Sequence, residues 1–241
     1  MNNVSISDRY VVFLDIMGFK DRVARNTHEK LYEELVSFNR RITSIISSIQ
    51  NSGEGFAEEA IEEEGNSATA IELTKQSNRI ILSQFSDSII LFSSDDTPES
   101  LEQISKATME IMKAAFDCDR PIPIKGALAK GIVTCDERKQ LYFGQALIDA
   151  YLLEENVQYY GIVVHHSAEE QVRDNQSDIF RDIEVPLKSG RIRHYELVWY
   201  KENKDDMKNG LSRLRLSVSD SPRKYVDNTN LMLKSLQDER A

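Results

Sequence analysis

An almost wholly apolar run at residues 10–16, YVVFLDI, is the feature that most narrows the folds open to this chain. Its β-branched and aromatic side chains favour a strand, and a strand with so few polar side chains is normally covered on both faces. Apolar residues then recur at spacings of four and three, which predicts a helix over residues 27–50. We therefore expect residues 10–16 to form a central strand of a sheet, with the helix packed on that sheet.

The rest of the chain continues to alternate between strand and helix patterns. The predicted elements are, in order, strands at 78–84 and 88–94, a helix that starts at Thr97-Pro98, a strand at 122–134, a short strand and a helix within 141–156, a strand at 161–166, a helical piece at 168–173, a strand at 191–200 and a terminal helix at 225–238. The order βαββαβ, followed by further elements, predicts an α+β fold with a ferredoxin-like core and extra strands.

Size and charge limit the class of protein. The chain has 241 residues, of which 40% are hydrophobic, so it can bury one substantial core. We place that domain at residues 1–200, with an acidic, flexible insertion at 51–77 and a polar, helical C-terminal extension at 201–241. A formal net charge of -10 argues against binding to nucleic acid or to an anionic membrane.

The sequence also carries few signals for targeting or for soft-metal binding. The first residues lack the regions of a signal peptide, and no apolar stretch is as long as a membrane helix, so we expect a cytoplasmic protein. Cys118 and Cys135 show no metal-ligand spacing, and neither do the four histidines. We therefore expect neither a zinc site nor a disulfide framework.

Aspartates mark the ends of two predicted strands. Asp15 ends the first strand, and Asp87 lies in the turn that ends the second. Strands joined through a helix in one sheet normally run parallel, so we expect the two strands side by side with both carboxylates at one edge. Adjacent carboxylates repel unless one takes up a proton or a cation lies between them. Mg²⁺ and Mn²⁺ prefer oxygen ligands, and a pair of such ions can stabilise both oxygens of an in-line phosphoryl displacement.

The residues after Asp15 fit the same chemistry. Met17, Gly18, Phe19 and Lys20 follow directly, and the glycine lets backbone amides approach phosphate oxygens. Aspartate is also a common turn former and helix cap, which would explain each carboxylate separately. The pair together with the glycine loop favours a metal site that binds phosphate.

Four segments resemble the class III nucleotidyl cyclases. FLDIMGFK is similar to their first metal-binding motif, FSDSIILF to the hairpin with their second metal aspartate, and KGALAKG and YFGQALIDAYLLE to their later glycine-containing segments, in order over residues 10–155. The resemblance implies a mostly antiparallel sheet and a homodimer with active sites at the subunit interface. It also implies cyclisation of a nucleoside triphosphate to a 3′,5′-cyclic monophosphate and pyrophosphate.

The resemblance also implies roles for individual residues. It assigns Asp15 and Asp87 to two Mg²⁺ or Mn²⁺ ions, the backbone carbonyl of Ile16 to one coordination shell, and the segment from Met17 to Lys20 to the triphosphate. Ions in that position would lower the cost of ionising the 3′-hydroxyl and stabilise the leaving pyrophosphate. No residue of the chain is identified as a general base.

Two positions that select the base in purine cyclases differ here. Ile81 and Leu141 replace their lysine and their acidic or thiol residue, and neither side chain can hydrogen-bond to a purine. These base-pocket candidates and the compact DIMGF motif resemble the bacterial pyrimidine cyclases of Pycsar antiphage systems. Those enzymes make cyclic UMP or cyclic CMP, which activates a separate effector. UTP or CTP is therefore the expected substrate.

A second departure keeps other hypotheses open. Ile148 and Leu152 replace an asparagine and an arginine that hold the ribose and stabilise transition-state charge in purine cyclases, and their shared face is apolar, as in a packed dimer helix. Cations that could replace the arginine are Lys125, Lys130, Arg191 and Arg193. The loss favours a catalytically inactive, cyclase-like dimer that binds nucleotide or a partner, whereas the two retained aspartates oppose it. A purine cyclase with unfamiliar selectors is a third hypothesis.

Overall fold

The structure is a computed structural model that describes residues 4–59, 79–117, 121–175, 178–200, 204–219 and 221–238. Its strands are β1 (Val4–Ile16), β2 (Ile81–Phe85), β3 (Ser88–Phe92), β4 (Ile124–Asp136), β5 (Leu141–Gly144), β6 (Ile162–Val164), β7 (Phe180–Leu187) and β8 (Gly190–Leu197). Its helices are α1 (Phe19–Arg25), α2 (His28–Glu59), α3 (Pro98–Phe116), α4 (Gln145–Asn156), α5 (His166–Asp174), α6 (Lys204–Ser217) and α7 (Ser221–Asp238).

The described strands form one eight-stranded sheet. Its order is β2-β3-β1-β4-β6-β8-β7, and β5 pairs with β4 outside that path. Paired strands are antiparallel except for β4 and β6. The order β2-β3-β1-β4 of the first four strands is that of a ferredoxin-like core, so the predicted α+β fold with extra strands is confirmed.

Strand β1 lies inside the sheet and is covered on both faces, as its composition predicted. Tyr10, Val12 and Leu14 belong to the main core, together with side chains of α2 and α3. Val11 and Phe13 point to the opposite face and belong to a second cluster with α4. The sheet is therefore sandwiched between α2 and α3 on one side and α4 on the other.

Helix α3 follows the sequence prediction closely. The Thr97 side chain caps it by accepting a hydrogen bond from the Ser100 amide, and Pro98 begins its first turn. Its predicted apolar stripe is fully buried, at 0% exposure for Leu101, Ile104, Thr108, Ile111 and Ala115. Local capping and periodicity were enough to define this helix.

Two predictions about the first half of the chain need correction. Strands β1 and β2 are not side by side, because β3 folds back between them. Since β3 is antiparallel to both, β1 and β2 still run in one direction and end at one edge. Helix α2 continues to Glu59 rather than ending at residue 50, because glycines weaken a helix without forbidding it. The remainder of the predicted insertion, residues 60–77, lies outside the described residues.

The sequence patterns missed three elements: α1, β7 and α6. Strand β7 lies at the sheet edge, where Pro186 is tolerated although it breaks the pattern of a central strand. The polar composition of α6 hides a buried stripe at Met207, Leu211 and Leu214, spaced by four and three residues. Side chains of α6 and α7 join the same core as β1. Among the described helices, none is both long and apolar enough to cross a membrane.

A substitution at Gly126 on β4 tests how tightly the central strands pack. A Cβ added there would lie 2.5 Å from the Phe13 carbonyl oxygen and 2.6 Å from Leu14 Cδ2. Gly126→Ala should therefore lower the free energy of unfolding, measured by urea denaturation, by about 1–3 kcal/mol. Gly210→Ala on α6 is the control, since its Cβ would approach nothing closer than 3.3 Å. Equal losses in the two variants would contradict the packing described here.

Candidate active site

The structure brings Asp15 and Asp87 together at one sheet edge. Asp15 pairs in register with Ser88, and the amide of Ile16 donates to the carbonyl oxygen of Asp87 at 2.9 Å. Register partners in antiparallel strands have Cα atoms about 4.5–5.5 Å apart. The turn adopts this shape because Ser86 takes a left-handed conformation, with φ 57°. The backbone therefore fixes the two aspartates as neighbours.

The neighbourhood of Asp15 disfavours its negative charge. Burial and, to a smaller extent, the negative charge of Asp87 raise the pKa of its carboxyl to about 6, although the positive charge of Lys125 acts in the opposite direction. Both aspartates are half-buried. At neutral pH the pair therefore carries an energetic cost that a bound cation would relieve.

A lysine lies directly across the sheet from Asp15. Lys125 is the register partner of Asp15 on β4, and its side chain is only 6% exposed. Its Nζ donates to the backbone carbonyl of Glu154 at 2.7 Å and forms an ion pair with Glu154 Oε1, also at 2.7 Å. Both Asp15 and Lys125 alternate onto the sheet face covered by α4. The ammonium group thus lies on the same face of the sheet as Asp15, close enough for its charge to lower the pKa of that carboxyl.

Glu154 was not singled out from the sequence, although a signal was present. Ala146, Ala150 and Glu154 are the buried residues of α4 and recur every four positions, so a carboxylate continues an otherwise apolar stripe. A buried carboxylate needs a charged partner, which Lys125 supplies. The pKa of Glu154 is raised to about 7, chiefly by burial, although the positive charge of Lys125 acts in the opposite direction.

The glycine loop after Asp15 leads directly into α1. Gly18 adopts a left-handed conformation, φ 73°, at the N-terminal end of that helix. The Met17 amide donates to the Pro123 carbonyl at 2.8 Å, so this donor is occupied. Phe19 and Lys20 lie in the first helical turn, where amides have no intrahelical acceptor. These two amides are the donors of the predicted phosphate loop that suit a ligand best.

The predicted base-pocket residues lie away from Asp15 in the same subunit. Ile81 begins β2, at the end remote from the Asp87 turn, and is buried against Phe92 in the second cluster. Leu141 begins β5, pairs with Asp136 at the far end of β4, and is 52% exposed. A single subunit therefore does not form a pocket from these residues and the aspartate pair.

The other candidate cations lie further from Asp15, from the middle of β4 to the far end of the sheet. Lys130 pairs in register with Tyr10 and forms a salt bridge with Asp96 at 3.0 Å. Arg191 and Arg193 lie in the first half of β8. The other end of this strand is the one near the site, because its last residue, Leu197, pairs with Ile162 at the start of β6. Of the four candidates, Lys125 alone lies beside Asp15.

The protein side chains supply only part of a metal coordination shell. Within the described ranges, no group of three or more His, Cys, Asp or Glu side chains could hold a metal ion by itself. A pair of carboxylates nevertheless suits Mg²⁺, which is commonly bound by one or two carboxylates, waters and substrate phosphates. The donor set therefore fits an ion that binds together with a phosphate ligand.

Comparison with known proteins identifies the architecture. No protein-family model and no curated protein matches the chain. The catalytic core of a rhodopsin-guanylyl cyclase with converted specificity, in complex with ATPαS, is 11% identical with a TM-score of 0.59, over 81% of this chain and 97% of that chain. The guanylate cyclase domain of RhGC from Catenaria anguillulae, in complex with GTP, is 11% identical with a TM-score of 0.57, over 80% and 97%.

A bacterial enzyme shows the same likeness. The adenylyl cyclase CyaB from P. aeruginosa is 14% identical with a TM-score of 0.52, over 81% of this chain and 96% of that chain. The chain has the fold of a class III cyclase catalytic domain. At these identities the likeness concerns the fold, and the roles of individual residues in this cyclase-fold protein rest on the geometry described above.

The raised pKa of Asp15 predicts a pH-dependent stability. A folded pKa near 6, above the unfolded value of about 3.9, means that the folded state holds its proton more tightly. In the metal-free protein Asp15 should therefore contribute a loss of about 1–2 kcal/mol of unfolding free energy as the pH rises from 4.5 to 7.5, in addition to the loss from Glu154, whose pKa is also raised. Asp15→Asn should remove the Asp15 contribution and so make the total loss smaller by about 1–2 kcal/mol, as measured by urea denaturation in EDTA.

The control for this measurement is Asp8→Asn, which changes an exposed aspartate on the same strand. It should keep the pH dependence of the wild type. If Asp15→Asn also keeps it, then Asp15 does not carry the electrostatic cost assigned to it.

Proposed function

We propose that the protein is a nucleotidyl cyclase that converts UTP or CTP to the 3′,5′-cyclic monophosphate and pyrophosphate. The observation that carries this proposal is the convergence of Asp15, Asp87 and Lys125 at one edge of a cyclase-fold sheet. The two carboxylates suit metal ions, and the buried ammonium group suits a phosphate. Together they suit a triphosphate that binds with metal ions. The product would act as a second messenger in antiphage defence, through a separate effector.

In this proposal Asp15, Asp87 and the carbonyl of Ile16 hold two Mg²⁺ or Mn²⁺ ions. Bound there, the ions would lower the cost of ionising the 3′-hydroxyl and neutralise charge on the phosphorus and on pyrophosphate. The raised pKa of Asp15 supports the assignment, because it reflects a carboxylate that needs a cation.

The remaining residues of the site bind and orient the triphosphate. The Lys125 ammonium would contact a phosphate oxygen and stabilise charge on the leaving group. The amides of Phe19 and Lys20 would bind further phosphate oxygens, and Gly18 would let the chain approach them. Because the 3′-hydroxyl and the α-phosphate belong to one molecule, orientation can supply much of the rate enhancement.

The preference for a pyrimidine rests on the absence of purine selectors at Ile81 and Leu141. Neither side chain can donate or accept a hydrogen bond, and a site without such contacts discriminates among bases only modestly. Two of the similar structures were determined with ATPαS and with GTP, which keeps a purine cyclase as an alternative. The apolar Ile148 and Leu152 favour a second alternative, an inactive nucleotide-binding dimer.

A homodimer is also part of the proposal. Ile148 and Leu152 are 51% and 50% exposed on the outer face of α4. A second apolar surface lies on the opposite face of the sheet, along the start of β1, the end of β4 and β5, and consists of Ile6 (69% exposed), Ile132 (58%), Leu141 (52%) and Phe143 (55%). In a two-fold dimer the α4 surface of each subunit would cover the second apolar surface of its partner, so the same contact would occur twice. Such contact would enclose the site next to α4.

Leu152→Glu tests this dimer. A charge on the outer face of α4 should oppose burial of that face, so the variant should become monomeric in analytical ultracentrifugation and lose most of its activity. Leu216→Glu is the control, since Leu216 is 91% exposed on α6, away from both surfaces. A wild-type monomer, or dissociation of both variants alike, would contradict the proposed interface.

Turnover tests the activity itself. The purified protein should convert UTP or CTP, in the presence of Mn²⁺, to a cyclic monophosphate identified by mass spectrometry. Asp15→Asn and Asp87→Asn should lower the rate at least about a hundredfold without unfolding the protein. Asp174→Asn, which changes an exposed aspartate at the end of α5, should keep the wild-type rate.

Other results would redirect the proposal. Cyclic AMP or cyclic GMP as the main product would show a purine cyclase. No product from any of the four ribonucleoside triphosphates would favour the inactive binding module. Near-normal turnover in either aspartate variant would refute the metal site.

A further inference from the structure

The C-terminal helix α7 reaches the candidate active site through one aromatic residue. Tyr225 lies in the first half of α7, is 9% exposed, and joins the main core. Its ring centroid lies 5.9 Å from Lys125 Nζ, within the range of a cation–π interaction. The residue thus contacts the cation that lies across from Asp15.

Hydrogen bonds hold Tyr225 and the start of α7 against the segment after α4. Gln158 Nε2 donates to the Tyr225 hydroxyl at 3.0 Å, and Asn228 Nδ2 donates to the Gln158 carbonyl at 2.8 Å. The Tyr160 amide donates to Thr229 Oγ1 at 2.9 Å. These bonds fix the ring in place beside Lys125.

The contacts of Lys125 with Glu154 occupy part of its hydrogen-bonding capacity. The ammonium group has three donors, and the carbonyl and the carboxylate of Glu154 both lie 2.7 Å from Nζ. The Tyr225 ring covers the ammonium further. Since a lysine side chain has a flexible four-carbon stem, its position depends on these contacts. The donor that remains can serve the site shared with Asp15.

We propose that Tyr225 is a positioning residue for Lys125, so that α7 forms part of the active site of its own subunit. The catalytic role of Lys125 on which this inference rests belongs to the proposed cyclase function. The ring attracts the ammonium electrostatically and excludes water from the Lys125–Glu154 pair. An aliphatic side chain in its place would leave the ammonium without that attraction, and the lysine would sample other positions.

Three variants separate positioning from general support of the core. Tyr225→Leu removes the aromatic face, and Tyr225→Phe keeps it while losing the bond from Gln158. Leu233→Ala is the control, because Leu233 is 4% exposed in the same core, about 12 Å further along α7. All variants are compared at a temperature where thermal denaturation shows each of them folded.

The kinetic readout is the KM for the triphosphate that the wild type converts. Tyr225→Leu should raise KM about fivefold or more, as loss of a desolvated cation–π contact implies. Tyr225→Phe should recover most of that loss, and Leu233→Ala should leave KM within about twofold of the wild type. A purely structural role would give Tyr225→Leu and Leu233→Ala the same KM.

A second readout does not depend on activity. Acetylation of Lys125 by acetic anhydride, measured by peptide mass spectrometry, should be about fivefold faster in Tyr225→Leu than in Leu233→Ala. Equal labelling and equal KM in these two variants would overturn the positioning role. If the wild type converts no triphosphate, the cyclase proposal fails, and the labelling ratio still decides whether Tyr225 holds Lys125.

Discussion

The candidate site depends on repulsion between two carboxylates that the backbone holds together. The bond from the Ile16 amide to the Asp87 carbonyl sets the hairpin turn against the end of β1, whatever the charges on the side chains. Burial and the charge of Asp87 raise the pKa of Asp15 to about 6, so the ionised pair is costly at neutral pH. The protein supplies one nearby cation, Lys125, whose ion pair with Glu154 occupies it in part. Divalent ions bound with a triphosphate would relieve the remaining electrostatic cost of the ionised pair.

Helix α4 connects this electrostatic arrangement to the rest of the fold. Its inner residues close one face of the sheet, and the last of them, Glu154, holds Lys125. Its outer face carries the exposed Ile148 and Leu152. A partner subunit bound to that outer face would therefore lie next to the candidate active site. In the proposed cyclase, assembly of the dimer and completion of the active site would be one event.

The sequence predicted the elements whose patterns are local and strong. The apolar run of β1, the cap of α3 at Thr97 and the spacing of the α3 stripe were each sufficient, and together they led to the correct fold class. The convergence of Asp15 and Asp87 was also predictable, although the insertion of β3 between β1 and β2 was not. The contacts of Lys125 could not be predicted, because they join β4, α4 and α7, which are distant in sequence. Such contacts depend on tertiary packing, which periodicity does not encode.

Direct observation of metal ions tests the central claim. Crystals of the protein grown with Mn²⁺ and a non-hydrolysable pyrimidine triphosphate should show anomalous scattering from manganese at the site. The account predicts peaks about 2.0–2.3 Å from carboxylate oxygens of both Asp15 and Asp87. A triphosphate bound elsewhere, or manganese peaks that contact neither aspartate, would contradict it.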